Sequence, residues 1–395
     1  MTNIEERAKS YEEQLLEWYT HLHTYPETSF NEVHTTEYLI EQLEAIGGYT
    51  LTRVSNTGVI ADITCGKPGP KVALRADIDA LAMPEHSGLS FASVNDGVMH
   101  ACGHDGHMTM LLGAAKLIRQ CQDELSGSYR LLFQPGEELF PGGAKEYVEK
   151  GVLDGVNYIL GQHVAPFLPT GTFGLVEGPI MGATDVAHIK IIGRGGHASM
   201  PHLNTDVIAT GAEIVTNLQH LVAREVDPLA QAVISITNFH AGTAHNVMAG
   251  EALLSGSIRT FDEEVRQYLA KRIEEVATAI ARAHRCEAEV VYEFGYPATV
   301  NDAAVTRTVR AALRDLYGEA ALPEQKPLMA GEDFASYLKV CRGTFYFIGV
   351  GNEEKECKYP LHHSCFKLDP DALPLGVAGL IAGSQAVMRA HPIAE

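Results

Sequence analysis

The 395-residue sequence is short of positive charge: 30 Lys and Arg stand against 50 Asp and Glu, a formal net charge of −20. A polyanion is drawn neither to nucleic acid nor to an anionic membrane, so neither is expected as a partner. Cysteine is sparse too. Its seven residues, an odd number scattered from Cys65 to Cys365, form no disulfide framework and suit a reducing compartment. No uninterrupted apolar run approaches the roughly 18 residues that a spanning helix needs. The opening stretch MTNIEERAKSYEEQ is charged and lacks an apolar core, so no signal peptide is read there and a cytoplasmic location is expected. Internal repeats and low-complexity tracts are missing. A dinucleotide fingerprint is missing as well, and GRGG at 193–196 lacks the spacing and closing Lys-Ser/Thr of a phosphate loop.

What is present is the composition of a folded protein, 46% hydrophobic and 20% charged, in a chain long enough for two domains. YEEQLLEWYTHLH (11–23) has the period of an amphipathic helix ending near Pro26. Short apolar strands then alternate with helices: a strand from 71 ending in Asp77 and Asp79, a helix over 105–120, a strand within 128–138 that Pro135-Gly136 terminates, and a strand over 156–164. Such alternation predicts an α/β sheet. The style changes at about 183. Strands near 185–197, 231–239, 251–259 and 286–294, with helices over 204–224 and 265–280, read as β-α-β-β-α-β, a ferredoxin-like unit. After Pro297 the α/β style resumes, with a buried strand at 343–351 and a helix near 371–390. The fold class expected is therefore α/β with two domains: a mixed-sheet domain formed by 1–182 and 297–395, and an inserted α+β domain over 183–296.

The stretch VMHACGHDGHM (98–108) crowds His100, Cys102, His104, Asp105 and His107 together, with Gly103 and Gly106 between them. Structural cysteines and core histidines usually come singly among apolar neighbours, so the cluster reads as the first part of a metal site. In an open α/β sheet, functional groups collect beyond the carboxyl ends of strands. Asp77 and Asp79, the pair Glu137-Glu138, His163 and LHHSCF (361–366) all fit that placement. At a strand end, two adjacent glutamates point in different directions. One can hold a metal while the other moves a proton, the division of labour that metal-assisted hydrolysis requires. Thiolate, imidazole and carboxylate together suit Zn²⁺ or another late divalent ion. Asp79 and Asp105 read as residues that orient imidazoles, and His100 and His107 as supports. Ser199 and Ser364 each neighbour a histidine without any sign of a third triad member.

These motifs are recognisable together. LHTYPETSFNE (22–32), LRADIDALAM (74–83), MHACGHDGHM (99–108), FQPGEE (133–138), GRGGHASMPH (193–202), GTAHNV (242–247), AGEDF (330–334) and LHHSCF (361–366) run nearly the full length. On them the chain resembles the M20 metallopeptidase family, in the amidohydrolase branch of hippurate hydrolases, N-acyl-amino-acid amidohydrolases and auxin-conjugate hydrolases. The resemblance implies two divalent transition-metal ions per subunit (Zn, Mn, Co or Ni), held by Cys102, His104, Glu138, His163 and His362. It implies Glu137 as general base and acid. The insert at 183–296 would be a lid and dimerisation domain whose His197 reaches the active site of a second subunit in a homodimer or higher homo-oligomer. Asn246, Arg259 and His202 would contact substrate. The activity implied is hydrolysis of N-acylated amino acids to a carboxylic acid and a free amino acid. A dipeptidase of the same chemistry, and a noncatalytic metal-dependent binding protein on the same scaffold, are the alternatives. One departure from the family pattern, Ser364-Cys365 where a proline is usual, leaves His363 beside His362 as a candidate ligand. Phe140 reads either as a wall of an acyl pocket or as a packed loop aromatic.

Overall fold

The helices and strands read from hydrophobic period are present, with others between them, in a computed structural model that describes residues 4–392. Helices α1 (Ile4–Lys9), α2 (Glu12–Thr24) and α3 (Val33–Ile46) precede strands β1 (Thr50–Thr52), β2 (Val59–Thr64) and β3 (Lys67–Asp77). Then come α4 (His104–Gln120), β4 (Ser126–Gln134), α5 (Gly143–Glu149), β5 (Tyr158–Pro169), β6 (Phe173–Gly174) and β7 (Gly178–Met181). The middle of the chain supplies β8 (Ala183–Ile192), β9 (Gly196–His197), α6 (Val207–His220), β10 (Ala232–Ala241), β11 (Val247–Met248), β12 (Glu251–Thr260), α7 (Glu263–Ala283) and β13 (Glu287–Glu293). Finally β14 (Thr299–Asn301), α8 (Ala303–Tyr317), α9 (Ala335–Leu338), β15 (Arg342–Gly351) and α10 (Ala372–Ala390) follow.

The chain divides into two compact units. The first runs to Ile180, resumes over Val300–Lys326 and continues from Asp333; the second holds Met181–Thr299 and Pro327–Glu332. The short return at 327–332 is missing from the sequence reading. It has no strand or helix pattern, and joins the second unit through backbone, with the Gly182 N–H donating to the carbonyls of Leu328 and Ala330.

The first unit is built on a seven-stranded sheet in the order β1-β2-β4-β3-β5-β15-β6. Its centre, β4-β3-β5-β15, is parallel, and the flanking pairs are antiparallel. Parallel strands covered on both faces read as continuous apolar runs, and β5 is buried from Tyr158 through Ala165. Helices α4 and α10 both touch β3 and β5. α4 is buried nearly all round, the mark of a helix enclosed by other elements. Its entry is set by Gly103, whose φ of +82° favours glycine and where a Cβ would stand 2.4 Å from Val164.

By length and composition α10 could span a membrane, with a mean hydropathy of 1.2, but 83% of that window is buried inside the protein. It is a core helix, interrupted by too many small and polar residues to show as a simple run.

The second unit carries a separate hydrophobic core that includes Ile189, Ile214, Leu254, Leu269 and Ile273. Its four-stranded antiparallel sheet has the order β10-β12-β8-β13, with α6 and α7 packed against it; this is the ferredoxin-like arrangement. Both helices start on aspartate caps. Asp206 accepts from the backbone of Ile208 and Ala209, and Asp262 from Val265, a contribution of about 1 kcal/mol each. The cap explains why α6 begins at Val207 rather than at 204. It stops at His220, and a wider turn over Leu221–Glu225 continues to the end of the expected helix.

Candidate metal centre

Strand register brings the first unit's polar clusters to one edge. Asp77 pairs level with Gln134 at the carboxyl ends of β3 and β4. Pro135 and Gly136 then turn the chain, so that Glu137 and Glu138 follow just beyond the sheet. On β5, His163 lies two residues past Gly161, which pairs with Arg75 of β3, and it is level with Phe347 of β15. His104 opens α4, directly after the Gly103 turn.

The five side chains expected as ligands converge here. The Cys102 Sγ lies 3.5 Å from His163 Nε2 and 3.3 Å from His362 Nε2. Glu138 Oε1 is 3.3 Å from His362 Nε2 and 3.9 Å from His104 Nε2. Their donor atoms form two overlapping sets, Cys102-His104-His163 and Cys102-Glu138-His362, each within 4.8 Å of one another. Cys102 belongs to both. A third set, His104-Glu137-Glu138, puts the buried Glu137 beside them.

Each buried imidazole is aimed by its other nitrogen. His104 Nδ1 donates to the Asp79 carbonyl at 2.8 Å, and His163 Nδ1 to the Val164 carbonyl at 2.8 Å. A carbonyl can only accept, so in the neutral form of each ring, the form that binds a metal, the lone pair sits on Nε2 and faces the cluster. Burial, with His107 nearby, holds His163 well below its usual pKa, in the neutral form a ligand needs. At His104 burial alone would lower the pKa, but Asp77, Asp79 and Glu138 outweigh it and push it up to about 10. The pocket thus favours positive charge. Burial and the carboxylates of Glu138 and Glu137 hold the Cys102 thiol well above its usual range, the reverse of what a thiolate nucleophile needs.

The residues read as supports take distinct places. Asp79 accepts from Ser29 Oγ at 2.7 Å and from the Glu138 N–H at 2.9 Å, and its Oδ1 is 3.3 Å from His104 Nδ1. It joins one imidazole to the turn that bears the glutamates. Asp105 meets no ligand histidine; it faces His23 at 2.6 Å instead. His107 has both nitrogens engaged, Nδ1 with Asp77 Oδ1 at 2.5 Å and Nε2 accepting the Val164 N–H at 2.9 Å. Although it lies near Asp77 and His104, it has no nitrogen left for a metal. His100 is buried with both ring nitrogens unpartnered, and burial lowers its pKa to about 4.

His362 and His363 part company in the structure. The His362 backbone is left-handed, with φ of 60°, and its ring turns toward Cys102 and Glu138. His363 stacks on Tyr359 at 4.8 Å between centroids and accepts the Cys365 N–H.

In the second unit, β9 pairs with β11 so that His197 stands opposite Val247, and the Ala198 N–H donates to the Asn246 carbonyl. His197, His202 and Asn246 are all exposed in this region. His197 Nδ1 accepts the Ser199 N–H at 3.1 Å, which leaves the ring proton on Nε2 as an outward donor. Arg259, on β12, is half-buried, and burial lowers its pKa. Its side chain makes no hydrogen bond among the described residues.

Several supporting residues escape the sequence reading. Arg75 is buried between Asp77 (2.7 Å) and Asp333 (2.6 Å) and donates to Gln134 at 2.8 Å. Asp333 also takes the Gln134 amide and the Ala144 N–H. Breaking such a buried pair costs about 3–5 kcal/mol, which fixes the strand ends firmly. The available signal was a lone arginine inside the apolar run KVALRAD. Glu32 accepts the Gly136 N–H at 2.9 Å, and burial and Asp79 push its pKa up to about 7.

His104 Nε2 and Glu138 Oε1 are buried without a hydrogen-bond partner. Unpartnered polar atoms are uncommon in a protein interior. Here they share one pocket with a thiol and two further imidazole nitrogens, a donor set that fits late divalent metal ions. Sulfur, nitrogen and carboxylate donors at the ends of parallel strands, with a second carboxylate alongside, define the centre of a metal-dependent hydrolase. The chain belongs to peptidase family M20/M25/M40, whose family model matches residues 73–382. It is 48% identical over 287 residues to an N-acyl-L-amino acid amidohydrolase of Geobacillus stearothermophilus, covering 73% of this chain and 78% of the relative. It is 40% identical to an N-acetylcysteine deacetylase of Bacillus subtilis (strain 168), covering 92% and 94% of the two chains. Among solved structures it resembles a dinuclear metal-binding M20 peptidase from Bacillus subtilis, with a TM-score of 0.84, 36% identity, and 96% and 99% of the chains covered.

Proposed function

We propose that the protein hydrolyses the amide bond of N-acylated amino acids, with two divalent ions (Zn, Mn, Co or Ni) held by Cys102, His104, Glu138, His163 and His362. The observation that carries the proposal is the convergence of these five donors beside the buried Glu137. Cys102, common to both donor sets, would help to hold either ion. When bound, the ions polarise the substrate carbonyl and make water acidic enough to react near neutrality. Glu137 accepts the proton of the attacking water, whose oxygen bonds to the carbonyl carbon. As the C–N bond breaks, Glu137 passes that proton to the leaving amine. His197 donates its Nε2–H to the carbonyl oxygen as charge develops there. The presence of Glu137 argues against a noncatalytic binding protein.

Arg259, a half-buried cation without a hydrogen-bonded partner, is the group we assign to the substrate α-carboxylate, with Asn246 and His202 as further contacts. N-acetyl, N-benzoyl and N-indoleacetyl amino acids should therefore be hydrolysed with higher kcat/KM than the matching amino-acid amides. Losing a charge-assisted hydrogen bond costs about 1.5–3 kcal/mol, or roughly 10–150-fold. Equal kcat/KM for acids and amides would argue against the clamp. Rapid turnover of unblocked dipeptides, with none of acyl amino acids, would favour the dipeptidase reading.

The second unit is proposed as lid and dimerisation domain, with His197 acting on a second subunit's site. His197→Ala should lower turnover about 10²–10³-fold. Mixing it with Glu137→Gln subunits under exchange should restore about a quarter of wild-type activity. Half of the randomly formed dimers are mixed, and each then has one complete site of two. Mixed dimers that form and stay inactive would rule out action across the dimer.

A further inference from the structure

We propose that His23 and Glu85 are positioning residues for His362, and that they hold the exposed half of the metal centre in place. The inference rests on the two-ion reading above. His23, on α2, has a side chain only 1% exposed. Its Nδ1 lies 2.6 Å from Asp105 Oδ2 and its Nε2 lies 2.9 Å from Glu85 Oε1. A carboxylate on each nitrogen calls for a proton on each, so the ring is a buried imidazolium. Burial alone would lower its pKa, but the two carboxylates raise it to about 9.

The Glu85 end of this bridge organises a loop. Residues 84–93 contain neither helix nor strand. Their backbone folds around the Glu85 carboxylate, which also accepts the Ser87 hydroxyl and, at 2.7 Å, the Ser93 N–H. Next to Glu85, the His86 N–H donates to the Ser364 carbonyl at 2.6 Å. Ser364 is two residues from His362. A second backbone tie to the rest of the unit is the His362 N–H to the Ala101 carbonyl at 2.9 Å.

His362 needs such support more than the other imidazoles do. Its side chain is 53% exposed, and its φ of 60° lies where residues other than glycine rarely settle unless the surroundings hold them. His104 and His163 are buried, and each is fixed through Nδ1 by a carbonyl outside the 84–93 loop. Loss of the bridge should thus loosen the Cys102-Glu138-His362 set and spare the Cys102-His104-His163 set.

Equilibrium dialysis of the metal-stripped protein against Mn²⁺ or Zn²⁺ tests this without reference to activity. The wild type, titrated first, should take up two equivalents. Glu85→Ala and His23→Gln should bind one ion as the wild type does and the second about 10–100-fold more weakly, the usual effect of removing a residue that orients a ligand. Glu85→Gln, which keeps a carbonyl acceptor at nearly the same place, should recover most of the loss. His23→Gln carries the test if Glu85→Ala does not fold. The inference is overturned if the variants bind both ions as tightly as the wild type, whatever their Tm, or if both ions weaken alike. A wild-type curve with no bound ion would instead overturn the functional reading, so the two failures are distinct.

Discussion

Glu137→Gln should retain both metal ions and lose at least about 10²-fold in turnover, the usual scale for a general base. The substitution keeps the size and planarity of a buried side chain, so the turn over 135–138 has little reason to move. What it removes is the ability to take a proton from water and return it to the leaving amine. Glu138→Gln should behave differently, because Glu138 Oε1 faces His362 at 3.3 Å within a donor set and an amide is a poor substitute for a carboxylate there. That variant should lose metal affinity as well as turnover. Elemental analysis after gel filtration, beside kcat on an N-acetyl amino acid, separates the two. If Glu137→Gln turns over at nearly the wild-type rate, or sheds its metal as Glu138→Gln does, the roles of the adjacent glutamates are wrongly divided.

How far the centre could be read from sequence depends on how local each part is. The 98–108 cluster was legible because cysteine and histidines stand within one short stretch, and Glu137-Glu138 because two carboxylates follow an apolar strand. The supports were not legible. His23 is 82 residues from Asp105, and Arg75 is 258 residues from Asp333. Nothing local marks either partner, so the sequence suggests that Asp105 orients a ligand imidazole, whereas it faces His23. His362 and His363 are chemically identical neighbours in the chain; a left-handed backbone and a stack on Tyr359 tell them apart, and neither shows in residue type. The β-α-β-β-α-β order of the second unit was legible from period alone. The return of 327–332 to that unit was not, since it is held by backbone hydrogen bonds that any sequence could make.

Removal of metal should abolish hydrolysis, a larger effect than any single substitution. Two imidazole lone pairs aimed by backbone carbonyls, an unpartnered buried Glu138 oxygen and the shared Cys102 sulfur have no use in proton transfer alone. Without cations, Glu137 would have only ordinary water to deprotonate, a far weaker acid than water beside zinc, whose pKa lies near 7. The donor set also sets which ions should serve. A thiolate ligand favours Zn²⁺, Mn²⁺, Co²⁺ or Ni²⁺ over Mg²⁺ or Ca²⁺, which prefer oxygen. The most direct measurement is hydrolysis of an N-acetyl amino acid by protein dialysed against a chelator, with metal content determined on the same sample, followed by stepwise return of Zn²⁺, Mn²⁺, Co²⁺ or Ni²⁺. The expected result is no turnover in the metal-free protein and recovery that tracks uptake of two ions per chain. Full turnover in protein shown to be metal-free would contradict it.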